Sequence, residues 1–180
     1  MTTKEIENIA YNYLWKKGRY LVFEVAIPRA IQNKYHRERL DLCEYDSDGT
    51  FRGYEIKRDI GDFHSGCAWS WICNYNYFIM PKTLYDKVQD EIPDGIGVWV
   101  CYEGYKTMTC VKKPKYKKLL CSKEDMLHMM IQGFSREYKK YRKLKEQEDK
   151  KTSTKKKATK TKKEYKEKLE SPFDDGDFLL

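Results

Sequence analysis

The chain has 180 residues, 40% of them hydrophobic and 36% charged, with a net charge of +8. The charged share lies well above the ~25% of an average globular chain, while 10 Gly and 5 Pro are too few for a collagen-like or linker composition. No run of 18 apolar residues is present to suggest a membrane span, and the start MTTKEIENIAYNYLWKKG lacks an apolar leader region. A cytoplasmic protein with six reduced cysteines, Cys43, Cys67, Cys73, Cys101, Cys110 and Cys121, is the expectation.

Thr2 and Glu5 have capping-box spacing, and Ile6, Ala10, Tyr13 and Leu14 recur on one helical face. This predicts a helix over residues 3–16, stopped by Gly18. Strands are expected over 19–27, 39–45 and 51–58, the last two joined by the turn residues Asp46, Ser47, Asp48 and Gly49. Trp69 and Ile72 suggest a helix over 62–74, followed by a strand over 75–80 that Pro81 ends. An amphipathic helix over 82–91, strands over 96–102 and 107–112, and a helix over 123–138 complete the body. The order α-βββ-α-β-α-β-β-α gives an α/β domain, a mixed central sheet flanked by helices.

Charge divides the chain into three parts. Residues 1–138 carry 21 Lys and Arg against 19 Asp and Glu; residues 139–168 carry 15 against five; residues 169–180 carry four acids and no base. A domain over 1–138, a Lys-rich arm over 139–170 and an acidic, apolar-ended tip over 171–180 follow. The arm has too little apolar surface to offset its ordering entropy, so it is expected to be helical at its start and then largely disordered. Lys155, Lys156 and Lys157 would hold nucleic acid by counterion release. The tip, with Phe173, Phe178, Leu179 and Leu180, resembles the C-terminal tails by which single-stranded-DNA-binding proteins dock partners, so a replication or repair protein is an expected partner there.

Candidate chemistry lies on the second and third strands. Asp41 interrupts an apolar stretch, and Glu55-Ile56-Lys57 follows after 13 residues. Side chains alternate along a strand, so Glu55 and Lys57 share a face, and the hairpin brings Asp41 beside them. Two hard carboxylates suit Mg²⁺, with Mn²⁺ as a substitute, and a lysine beside them can orient or deprotonate a water and stabilise phosphate charge. Arg37 and Arg39 flank Asp41 and could grip a phosphate; a salt bridge with Glu38 or Glu44 is the plainer role. His64 reads as a surface residue at a helix start. Trp69, Trp71, Tyr75 and Tyr77 read chiefly as core, and without C-x₂-C or H-x₃-H spacing a thiol metal site is not expected.

Asp41 with Glu55-Ile56-Lys57 resembles the core of the PD-(D/E)XK (restriction-endonuclease-like) nuclease superfamily. Closer still is a resemblance to the MmcB-type DNA repair proteins. It rests on Glu24, Arg39-Leu40-Asp41-Leu42, Tyr54-Glu55-Ile56-Lys57, Asp62-Phe63, Trp69, Cys73-Asn74, Tyr77-Phe78 and Pro93-Asp94-Gly95-Ile96-Gly97. Gly66 and Ala68 depart from the pattern. The resemblance implies a Mg²⁺-dependent deoxyribonuclease of DNA repair, recombination or phage DNA processing. Asp41 and Glu55 would be its metal ligands, the Ile56 carbonyl a further ligand and Lys57 its catalytic lysine. A third carboxylate is implied, Glu24 before Glu7. A non-catalytic DNA-binding accessory of the same fold, or a module recruiting partners through its tip, are the alternatives, and some relatives work as dimers.

Overall fold

The structure is a computed structural model that describes residues 1–27, 38–65 and 71–169, with side chains through Lys151. It contains two compact units, Met1–Ser135 and Arg136–Leu180.

The first unit opens with α1 (Thr3–Leu14). The expected capping box is formed: the Thr2 hydroxyl accepts from the Glu5 N–H, and Glu5 reaches back to the Thr2 backbone. Six strands follow: β1 (Arg19–Ala26), β2 (Arg39–Asp46), β3 (Phe51–Ile56), β4 (Tyr75–Pro81), β5 (Gly97–Cys101) and β6 (Met108–Lys112). They pair in chain order, β1-β2-β3-β4-β5-β6. The β3–β4 and β4–β5 pairs are parallel and the rest antiparallel, which makes the sheet mixed. At the β2–β3 hairpin the Asp46 carboxylate accepts from the Asp48 and Thr50 N–H groups, and Gly49 takes a left-handed φ of 79°.

Helices cover both faces. Ile6, Ile9, Ala10 and Leu14 of α1 pack on Leu42, Tyr54, Ile56 and Ile79. On the other face Met126 and Met130 of α4 (Lys123–Leu169) pack on Val22, Val25, Leu40 and Cys43. Beside them α3 (Lys82–Val88), through Leu84 and Val88, packs on Phe78, Met80, Val98 and Val100. Gly53 lets the sheet pack closely here, since a Cβ would meet Cys73 Sγ at 3.0 Å.

Two sequence expectations are corrected. No helix spans 62–74: α2 covers only Ile60–Phe63, and Trp71 has a left-handed φ of 46° before β4 begins. Gly61, Ser65 and Gly66 weaken a helix there, and the aromatic groups serve tertiary contacts instead, Trp71 packing edge-on against Phe78. The basic arm is not largely disordered, because α4 continues through Leu169. Residues 136–169 hold no Gly or Pro and are rich in Lys, with several Glu. Near its start, Lys140–Glu137 and Arg142–Glu146 pairs at helical spacing add support. The first unit ends three residues before the expected boundary at 138. The tip, residues 171–180, lies outside the described residues. Among the described residues, no helix is long and apolar enough to cross a membrane.

Candidate functional site

β1 and β2 pair in one register up to Phe23↔Leu42 and again from Val25↔Leu40, so that the ladder is interrupted where Glu24 and Asp41 face each other. Glu24 has a φ of +55°, a left-handed conformation costly for a residue with a Cβ. The consequence appears in the packing. Val22 and Val25 reach the same core cluster, as do Leu40 and Cys43, although each pair is three residues apart. Both strands switch faces at this crease, and Asp41 sits on it.

Pairing of β2 with β3 also stops here, at Leu42↔Tyr54. Beyond that point the side chain of Asp41 replaces the β2 backbone: its Oδ2 accepts the Ile56 N–H at 2.7 Å. Glu55 and Lys57 are 9% and 4% exposed, whereas Ile56 between them packs under α1. The Lys57 N–H donates to the Ile79 carbonyl at 3.0 Å, which fixes the end of β3 against β4.

The electrostatics show how close these groups are. Burial pushes the Glu55 carboxyl from its ordinary 4.5 to about 9, helped by the negative charge of Asp41 and a hydrogen bond between the two, and opposed by the positive charge of Lys57. Asp41 is also raised, first by burial, with Glu24 and Asp62 adding to the rise; the Ile56 N–H and Lys57 work against it. Two carboxyls share a dry site, and near neutral pH one of them keeps a proton.

The structure thus brings Asp41, Glu55 and Lys57 together. Glu24 stands at the rim, its carboxylate 2.9 Å from Arg39 and its charge felt by Asp41. Arg39 therefore pairs with neither Glu38 nor Glu44. Glu7 is engaged elsewhere, by Lys4 one turn back on α1 at 3.0 Å. Arg37 lies outside the described residues, as do the side chains of Lys155, Lys156 and Lys157. His64 lies on the surface against Glu91, at 2.7 Å.

Two acids to which the sequence reading gave no part in the site also bear on it. Glu38 leads into β2, and its Oε2 is buried with no hydrogen-bond partner among the described residues, while its charge helps raise Glu55. Asp62, in α2, contributes its charge to Asp41. Among the described residues no ready-made cluster of three or more His, Cys, Asp or Glu could hold a metal ion. Asp41 and Glu55 nevertheless fit a hard divalent cation in kind. They are two all-oxygen donors, Glu55 buried and Asp41 partly so, that suppress each other's ionisation, with a Glu38 oxygen nearby that has no hydrogen-bond partner among the described residues. Mg²⁺ is commonly held by one or two carboxylates and substrate oxygens.

No family model matches the chain, and no curated protein is similar to it in sequence. A solved structure of a protein of unknown function from Silicibacter pomeroyi shares the fold. Its TM-score is 0.64 at 15% identity, covering 81% of this chain and 94% of that one. That likeness agrees with an α/β architecture built on a six-stranded mixed sheet.

Proposed function

We propose that the protein is a PD-(D/E)XK-like nuclease that hydrolyses DNA phosphodiester bonds with Mg²⁺, in DNA repair, recombination or phage DNA processing. The observation that carries this reading is the convergence of Asp41, Glu55 and Lys57, where burial and the charge of Asp41 hold a proton on Glu55. A divalent cation would take the place of that proton. Asp41 and Glu55 would hold Mg²⁺, which polarises the phosphate and lowers the pKa of a bound water. Lys57 would orient the attacking water and stabilise charge building on the non-bridging phosphate oxygens. The water oxygen would bond to phosphorus, losing a proton to Lys57 or solvent, as the P–O3′ bond breaks; the departing 3′-oxygen would take up a proton, leaving a 5′-phosphate and a 3′-hydroxyl.

The test is cleavage of labelled duplex, single-stranded and branched DNA with Mg²⁺ or Mn²⁺, wild type beside Lys57→Ala. Metal-dependent cutting that the variant loses is expected. Binding without cutting on every substrate and with either metal would instead make the protein a DNA-binding accessory.

A further inference from the structure

The seven residues 112–118 read Lys-Lys-Pro-Lys-Tyr-Lys-Lys, so five of the body's cations lie in one short run. Averaged over residues 1–138, that run disappears into a nearly neutral total. The fold holds it in place. It leaves β6 and crosses the starts of β5 and β4, pinned at alternate residues. The Lys115 N–H donates to the Gly95 carbonyl at 2.9 Å and the Lys117 N–H to the Asn74 carbonyl at 2.8 Å. The Asn74 amide returns a bond to the Lys117 carbonyl at 3.2 Å. Residues 113–119 contain neither turn nor helix. Lys112 is spent inward on the Ile92 and Pro93 carbonyls, and Lys115 on Asp94 at 2.7 Å. Lys113, Lys117 and Lys118 are exposed, and no ion pair among the described residues uses them. Tyr116, 68% exposed, stands edge-on to Tyr75.

We infer that this ribbon is a track for the nucleic-acid phosphate backbone, with Tyr116 offering a ring for an unstacked base. The inference rests on the nucleic-acid part of the proposed function and not on its catalytic part. Lysines on a pinned chain lose less freedom on binding than lysines on a loose one. Alternate residues of an extended chain lie ~6.6 Å apart, close to two phosphate steps of ~3.4 Å along a DNA strand. Asn74 precedes Tyr75, which pairs with Arg52, so the ribbon crosses about four residues before the level of Glu55. That is ~13 Å along the strand direction, about four nucleotide steps, so one oligonucleotide can span both.

The experiment uses the full chain and labelled 20-nucleotide single strands and duplexes, with affinity measured across a salt series. Lys113, Lys117 and Lys118 changed together to Gln should lower the slope of log affinity against log salt by about two for single strands and about three for duplexes. Tyr116→Ala should weaken single strands severalfold and leave duplex binding unchanged. A wild-type slope in the triple variant, or no binding by the wild type, overturns the inference. Loss of binding to phosphatidylserine vesicles with an unchanged DNA slope overturns it in favour of a membrane surface. Cleavage is scored separately: a wild type that binds through the ribbon but never cuts leaves the ribbon standing while the catalytic reading falls.

Discussion

Asp41 and Glu44 lie three residues apart on one strand, each an acid amid apolar neighbours, and their fates differ. Glu44 is fully buried and fully supplied. Arg52 reaches it at 3.0 Å, Arg19 at 3.4 Å, and the Tyr54 hydroxyl donates to it at 2.7 Å. Arg52 also grips Asp46 at 2.5 Å, tying the group to the hairpin turn. Asp41 shares its site with Glu55, which rises to about 9, and with the orphaned oxygen of Glu38. The first arrangement is a closed structural network, the second a pair of carboxyls that hold back each other's ionisation. What separates the two acids is the supply of partners: Glu44 is fully buried yet satisfied, whereas Asp41, partly buried, shares its site with a second carboxyl.

The largest expected effect tests the closed network. Glu44→Ala leaves Arg52 and Tyr54 without their buried acceptor and should cost about 3–5 kcal/mol in urea denaturation; a loss below about 1 kcal/mol would erase the contrast. The open site should behave in the opposite sense. Native Glu55 keeps its proton to about pH 9, whereas the unfolded chain releases it near 4.5. The native state then binds more protons over that window, so this group's contribution to stability falls as pH rises through it. Glu55→Gln, which mimics the protonated acid, should stabilise the apo-protein by about 2 kcal/mol at pH 8. The gain should nearly vanish at pH 5. A destabilised Glu55→Gln at pH 8 would show that Glu55 is as well supplied as Glu44.

A cation should substitute for the proton. With ~10 mM Mg²⁺ at pH 8, a site of Kd ~1 mM gains about 1.4 kcal/mol, or about 4 °C in Tm. The gain should shrink at pH 5, where protons compete, and be absent from Glu55→Gln. An equal gain in that variant would move the binding site elsewhere. The smallest effect concerns the crease: Glu24→Gly relieves a left-handed backbone and should raise stability by about 1 kcal/mol in thermal melts, although an exposed Arg39 pair is lost. No change would mean that the surrounding ladder carries no strain there.

Strand alternation and the Asp-Gly turn made the association of Asp41 with Glu55 and Lys57 readable from the sequence, because a hairpin leaves few alternatives for residues near its ends. Glu38 was not readable: it lies ahead of a strand, where no periodicity assigns a face, and only the finished packing shows that its Oε2 is buried. Glu24 was noticed as an acid on the first strand, but its left-handed φ comes from a break in pairing that composition does not encode. The expected helix over 62–74 failed because Trp71 and Ile72 are held by two different core clusters. The arm was misjudged for another reason. Its scarcity of apolar residues argued for disorder, while its Lys and Glu content and lack of Gly and Pro favour helix. The lysines of 112–118 escaped notice because charge was counted by region.

The crease at Glu24 also bears on how the molecule avoids its own kind. β1 is a terminal strand of the sheet, and its outer side offers backbone groups to any passing strand. A foreign strand docking there would meet a ladder interrupted at Glu24, with the Glu24–Arg39 charges beside the break. Irregularity and charge at an open edge are the means by which sheets resist edge-to-edge growth. The kink that sets Asp41 over β3 therefore also guards the sheet against aggregation.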